Sequence, residues 1–153
     1  MTETGITIAI EEKIAPEVKA LLDASDAFFA DLYPPESNHL VDVSALEAAD
    51  VTFFVARISG RAVGCGGYLN KGQYGEIKRL FVGSEGRGRK VGRLLMQAII
   101  DHAQQAKLPC LKLEMGPSQP EAEALYQSLG FAETGPFGDY REDPYSLFME
   151  KTL

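Results

Sequence analysis

The sequence predicts a mixed α/β domain: a central, mostly antiparallel sheet with helices on both faces. Three observations carry that expectation. Apolar residues repeat at helical spacing in two stretches, 18–32 and 91–103. Short β-rich runs, bounded by Gly, Pro, Asn and Ser, stand before, between and after them. Between Gly75 and Met115 the chain reads strand, helix, strand, an order that sets the segment ending at Val82 parallel to the one beginning at Cys110.

A chain of 153 residues favours one domain spanning positions 1–153. Hydrophobic content of 45% and charged content of 24% are globular values. The net charge of −7 argues against broad nucleic-acid or anionic-membrane binding, which need extended positive fields. The first residues, Met-Thr-Glu-Thr-Gly-Ile, carry no basic region followed by an apolar one, and no apolar run reaches transmembrane length. The expected location is the cytoplasm. Cys65 and Cys110 each sit in an apolar run. Their spacing permits a disulfide, but free thiols in a reducing compartment are the expectation. Neither has a His or Cys neighbour at metal-ligand spacing, so no metal is expected.

Ile6–Ile10 reads as the first strand, and Pro16 suits the first turn of a helix. Val18, Leu21, Leu22, Ser25, Phe28, Phe29 and Leu32 form its core stripe. Tyr33-Pro34-Pro35 stops it, because a residue before proline is pushed out of the α region. Ser44 is placed to cap a short helix, with Glu47 at the capping-box position. Val51–Ile58 and Ala62–Leu69 make a hairpin around Ser59-Gly60-Arg61. Gly64, Gly66 and Gly67 point to a bulge or a close backbone approach in its second arm.

The strand Gly75–Val82 has an irregular phase. Leu80 and Val82 share one face, whereas strict alternation puts Ile77 on the other. A β-bulge near Lys78-Arg79 restores Ile77 to the inside. The following helix carries Val91, Leu94, Leu95, Ala98, Ile99 and Ala103 on one face, and Lys107-Leu-Pro ends it. Cys110–Met115 alternates, with Leu111, Leu113 and Met115 on one side. A short helix then carries Ala122, Leu125, Tyr126 and Leu129, with Gly130 as its C-terminal cap. Phe131–Thr134 and Tyr145–Glu150 read as closing strands.

The turn Arg87-Gly88-Arg89-Lys90-Val91-Gly92 lies between a strand and a helix. The first N–H groups of a helix have no partner within it, and the helix dipole places partial positive charge there. Gly88 and Gly92 clear side chains from the backbone, and Arg87, Arg89, Lys90 and Arg93 add charge. A basic knot in an acidic chain points to a local anionic ligand. No Gly-Lys-Ser/Thr follows, which disfavours a nucleotide P-loop.

Val82, Arg87-Gly88-x-x-Val91-Gly92 and Leu94-Leu95 resemble the acyl-CoA pyrophosphate motif of the GNAT superfamily of N-acetyltransferases, Arg/Gln-x-x-Gly-x-Gly/Ala. Lys90 stands where that pattern has its first Gly. Gln119-Pro-Glu-Ala122-x-x-Leu125-Tyr126-x-x-x-Gly130-Phe131 resembles the superfamily's Asn-x-x-Ala-x-x-Leu-Tyr-x-x-x-Gly-Phe segment, with Gln119 in place of Asn. The resemblance implies a bulged strand that splays from its neighbour, leaving a gap for thioester and pantetheine. It places Leu80, Phe81, Val82, Arg87, Gly88, Arg89, Lys90, Val91, Gly92, Arg93, Gln119 and Tyr126 along acetyl-CoA. It implies Tyr126 as proton donor to the coenzyme sulfur and Glu76 as base, with Glu114 a weaker alternative. Tyr33, Glu36 and Tyr140 lie on loops that suit an acceptor, and His39 borders the same region. His102 reads as a solvated helix residue. The implied function is N-acetylation of a small-molecule amine, direct from acetyl-CoA. Acylation of a protein lysine or N-terminus, and a non-catalytic acyl-CoA-binding module, are the rivals. A homodimer is left open.

Overall fold

The computed structural model describes residues 5–35 and 43–153. Among the described residues the strands form one seven-stranded sheet. Its strands are β1 (Ile6–Ile10), β2 (Val51–Ile58), β3 (Arg61–Asn70), β4 (Gly75–Val82), β5 (Cys110–Met115), β6 (Ala132–Thr134) and β7 (Leu147–Thr152). Their order is β1-β2-β3-β4-β5-β7-β6, and every neighbouring pair is antiparallel except β4 with β5. Among the described residues three α-helices accompany them: α1 (Pro16–Leu32), α2 (Val91–Gln105) and α3 (Pro120–Ser128). This is the mixed α/β, mostly antiparallel arrangement expected from the sequence.

The apolar patterns divide the core into two. On one face Val91, Leu95, Met96 and Ile99 of α2 and Tyr126 of α3 pack against Ile77, Leu111 and Leu113. On the other, Val18, Leu21 and Leu22 of α1 pack against Phe53, Val55, Cys65 and Phe81. Gly64 of β3 lets α2 approach closely, since a Cβ there would stand 2.8 Å from Val91 Cγ1. Helix α1 begins with Pro16 in its first turn and ends where Tyr33 turns extended before Pro34. Both cysteines are free thiols, Cys65 buried and Cys110 half-buried.

Lys78 pairs with Gly67 and Phe81 with Cys65, so β4 spends one more residue than β3 between those pairs. The extra residue is Arg79, at φ +62°. This is the bulge that the phase of Ile77 requires, and Ile77 is buried.

Three local expectations change. The stripe of α1 is buried only as far as Ser25, and Phe28 remains 38% exposed, because the end of that helix borders an opening instead of core. The capping box at Ser44 does not form; residues Val43–Glu47 make a 3₁₀ turn. Glu47 instead accepts a bond of 2.7 Å from the Ile14 N–H, a charge-assisted contact that outcompetes a local cap. The last strand starts at Leu147, two residues late. Asp143 holds Tyr145 and Ser146 in a turn through its side-chain and backbone oxygens, at 2.8 and 3.0 Å. His102 is half-buried, with Nδ1 2.6 Å from the Tyr68 hydroxyl oxygen.

Candidate active site

The parallel pairing of β4 and β5 is short. Only Gly75 with Leu111 and Glu76 with Lys112 are in register. Past Glu76, β4 bulges at Arg79 and the two strands part. A cavity of about 80 Å³ occupies the opening, walled by Ile77–Leu80 of β4, Leu113–Met115 of β5, and Phe29, Tyr33, Gly116, Gln119, Tyr126 and Tyr145.

A larger groove of about 520 Å³ runs from there to the start of α2. The helix start is built by backbone conformation. Gly88 has φ +77°, and Lys90, the residue before the first helical turn, has φ +61°. Two left-handed residues in a short turn fold the chain back so that α2 begins beside the groove. Lys90 therefore adopts the conformation that glycine adopts most easily, which explains why the related motif carries Gly there. Arg87, Lys90 and Arg93 line this end of the groove and are exposed. Arg93 also donates to Ser128 Oγ at 2.5 Å.

The cavity and the groove share four residues: Phe29, Leu80, Gln119 and Tyr126. Tyr126 is 6% exposed and packs its ring against Phe131, 5.8 Å between centroids. Burial pushes its phenol well above the usual tyrosine range, which keeps the proton on oxygen. Gln119 Nε2 donates to the Tyr33 hydroxyl at 3.1 Å, linking α3 to the end of α1.

Beside the cavity lies a polar cluster. Tyr140 donates to Glu76 Oε2 at 2.6 Å, and Lys78 Nζ stands 3.1 Å from the same oxygen. Lys78 also donates to the Tyr140 hydroxyl and lies over its ring, 5.1 Å from the centroid. Burial first, and then the bond to Glu76, hold the Tyr140 phenol far above its ordinary value. Ser146 donates to Glu114 Oε2 at 2.8 Å.

Of the residues expected along a coenzyme, eleven line the groove: Leu80, Phe81, Val82, Arg87, Gly88, Lys90, Val91, Gly92, Arg93, Gln119 and Tyr126. Arg89 is exposed and does not line it. Tyr33 lines the cavity. Tyr140 reaches the cavity wall through Lys78. Glu76 does not line it: its carboxylate is 5% exposed and already held by Tyr140 and Lys78, whereas Glu114 is on the wall. Glu36 and His39 fall outside the described residues. Sequence reasoning places Phe29 in the core, Lys78 at the bulge and Tyr145 in a strand, and assigns none of them to the site. No sequence signal separates Phe29 from the core residues of the same stripe. Among the described residues, no group of three His, Cys, Asp or Glu is placed to hold a metal ion, and no helix is long and apolar enough to cross a membrane.

Comparison with known proteins adds independent findings. The acetyltransferase (GNAT) family matches residues 18–131. A protein of Azospirillum brasilense named IAA acetyltransferase is 48% identical over 151 residues, covering 97% of this chain and 99% of its own. The structure of a Klebsiella pneumoniae protein assigned to the acyl-CoA N-acyltransferases matches with a TM-score of 0.85 and 33% identity, over 99% of both chains. An Elizabethkingia anophelis GNAT family acetyltransferase with acetyl-CoA bound has a TM-score of 0.71 at 19% identity, over 99% of this chain and 100% of its own, a likeness of fold alone.

Proposed function

The chain belongs to the acetyltransferase (GNAT) family and is an acyl-CoA-dependent N-acetyltransferase; from that premise we propose that it moves an acetyl group from acetyl-CoA directly to a primary amine of a small molecule. The observation that carries the reading is the sharing of Tyr126 between the groove and the cavity where β4 and β5 part. A phenol at that junction touches both a donor lying in the groove and an acceptor in the cavity.

Acetyl-CoA, when bound, supplies an activated acetyl thioester. The start of α2 takes its pyrophosphate on backbone N–H groups, with Arg87, Lys90 and Arg93 neutralising charge. Tyr126 keeps its proton at neutral pH and gives it to the departing thiolate. Glu76 takes the amine's proton, and because it stands behind the wall, the path to it runs through Lys78 and Tyr140. Holding amine and thioester in one small cavity contributes proximity, the largest part of what this reaction needs.

The test is a coenzyme-release screen of the purified protein over amino acids, polyamines, aminoglycosides and peptides, with product mass measured. The name of the 48% identical relative makes IAA a compound to include. Release that depends on one class of small amine supports the proposal. Acetyl-CoA binding without release by any of them identifies a binding module instead, and preferential acetylation of peptides moves the acceptor to protein.

A further inference from the structure

Arg79 is the one charged residue among the described ones that carries buried side-chain nitrogens without a partner. It is 5% exposed and belongs to the wall of the cavity between β4 and β5. Its Nη1 donates to Asp26 Oδ1 at 2.6 Å. Nε and Nη2 have no hydrogen-bond partner at all. Those two nitrogens are not a random pair. Nε–H and one N–H of Nη2 point the same way and form the side-on edge of the guanidinium, spaced to grip both oxygens of a carboxylate. Asp26, half-exposed on α1, takes the other end and leaves that edge whole.

The backbone brings this about. Arg79 is the extra residue of the bulge, at φ +62°, a conformation unfavourable for any side chain with a Cβ. Cys65 Sγ donates to its carbonyl at 3.4 Å and helps hold it there. A strained residue whose buried cation is half satisfied is costly twice over, and such costs gather where a ligand relieves them. An ordinary salt bridge with Asp26 explains Nη1 and leaves the rest unexplained.

We infer that the acceptor bears a carboxylate, which the Nε/Nη2 edge of Arg79 binds in two parallel hydrogen bonds while the amine faces the thioester; the acceptor is thus an amino acid or a close relative. This rests on the acetyl-transfer reading and names the substrate class of the same site. The edge is shielded from solvent, so a docking carboxylate moves a wall side chain aside and the resulting pair is dry. A dry bidentate pair discriminates strongly, because an analogue lacking the carboxylate leaves the guanidinium as it was.

The test uses reaction products, so it does not depend on turnover. N-acetylglycine, N-acetylmethionine and N-acetylphenylalanine are each compared with their primary amides by calorimetry on the full protein saturated with coenzyme A. The expected result is that at least one acid binds tenfold or more tighter than its amide. Arg79→Gln abolishes the difference while coenzyme A affinity is retained, and Arg79→Lys, which keeps charge but not the fork, restores only part of it. Acids and amides that bind alike, or that all fail to bind, overturn the proposal. So does an Arg79→Gln variant that, still folded by circular dichroism, keeps the preference. If Arg79→Gln does not fold, the acid–amide comparison on the parent and Arg79→Lys decides alone. Failure of coenzyme A and acetyl-CoA to bind is a separate result, and it refutes the acetyl-transfer reading.

Discussion

Tyr140 and Glu76 are 64 residues apart in the chain and share a hydrogen bond of 2.6 Å at the point where β4 leaves β5. That bond ties the connection between β6 and β7 to the mouth of the opening, and Lys78 completes the cluster by contacting both residues. Tyr140→Phe keeps the edge-to-face ring contacts with Phe137 and Phe148 and removes only the hydroxyl. The expected cost is ~1–3 kcal/mol, from leaving a buried carboxylate one donor short. Urea denaturation checks it. A loss below about 0.5 kcal/mol means that water replaces the phenol freely.

Glu76→Gln tests proton removal. Turnover is expected to fall most where the amine is protonated and to recover partly as pH rises and free amine accumulates. Tyr140→Phe is expected to shift the same limb of the profile if the path runs through that hydroxyl. Unchanged pH–rate profiles in both variants remove the cluster from the chemistry.

Tyr126→Phe separates packing from proton donation. The ring stays against Phe131, so acetyl-CoA affinity is expected to hold. The kcat is expected to fall ~10²-fold, the usual scale of acid catalysis. Steady-state kinetics with direct coenzyme binding decides: a defect confined to binding makes the phenol a holder of coenzyme.

At the start of α2, Lys90→Gly releases a left-handed non-glycine residue. It is expected to stabilise the protein by ~0.5–1 kcal/mol net of glycine's own entropy, with acetyl-CoA binding retained but weakened by the lost charge. Lys90→Glu is expected to weaken binding, most at low salt. Gly92→Glu places a carboxylate at the proposed phosphate approach and is expected to abolish acetyl-CoA binding in a folded protein. Arg87→Ala is expected to lower affinity more than Arg89→Ala, because only Arg87 lines the groove. Equal effects of the two arginines shift the anion site off the groove.

Alkaline stability follows from burial. The Cys65 thiol is pushed up to about 12 from an ordinary value of 9.0, by burial, with Arg79 opposing the shift. The folded pKa lies above the unfolded one, so the native state keeps a proton that the unfolded chain releases. The stability is fully present below pH 9.0 and is lost as pH rises towards 12. Tyr126 and Tyr140 add losses of the same sign above their ordinary tyrosine range. Thermal melts from pH 8 upward are expected to fall steadily. Cys65→Ala is expected to lower the melting temperature at pH 8 but to flatten the decline.

The strands, the glycine contact of β3 and the bulge were legible because each leaves a mark of period or composition. Ile77 out of phase with Leu80 was enough to locate an extra residue. The α2 end of the groove was marked by its basic, glycine-containing turn; the rest was legible only through motif resemblance, since no periodicity announces that Gln119 and Tyr126 face a cavity. Phe28 and Phe29 show the limit most clearly. Apolar residues at helical spacing read as core whether they meet a neighbouring side chain or an opening. Glu76 and Tyr140 were each singled out, but their association with one another and with Lys78 was hidden for another reason: it depends on a 64-residue return of the chain, which local pattern does not encode. Lys90 is intermediate. Its departure from the related motif was visible, but its left-handed backbone was not.

Two pairs of residues in register are a thin seam for a sheet of seven strands. On one side of it lie β1 to β4, on the other β5, β7 and β6. Helices bridge the halves, but the strand edges beyond Glu76 keep backbone groups that no neighbouring strand satisfies. A ligand lying in that gap acts as a clasp between two plates. Its binding energy then counts towards holding the molecule together, by ~2.7 kcal/mol at a hundredfold excess over Kd. Amides flanking the gap, from Ile77 to Leu80 and from Leu113 to Met115, should exchange with solvent sooner than those of the β2–β3 hairpin, and slow once the clasp is closed.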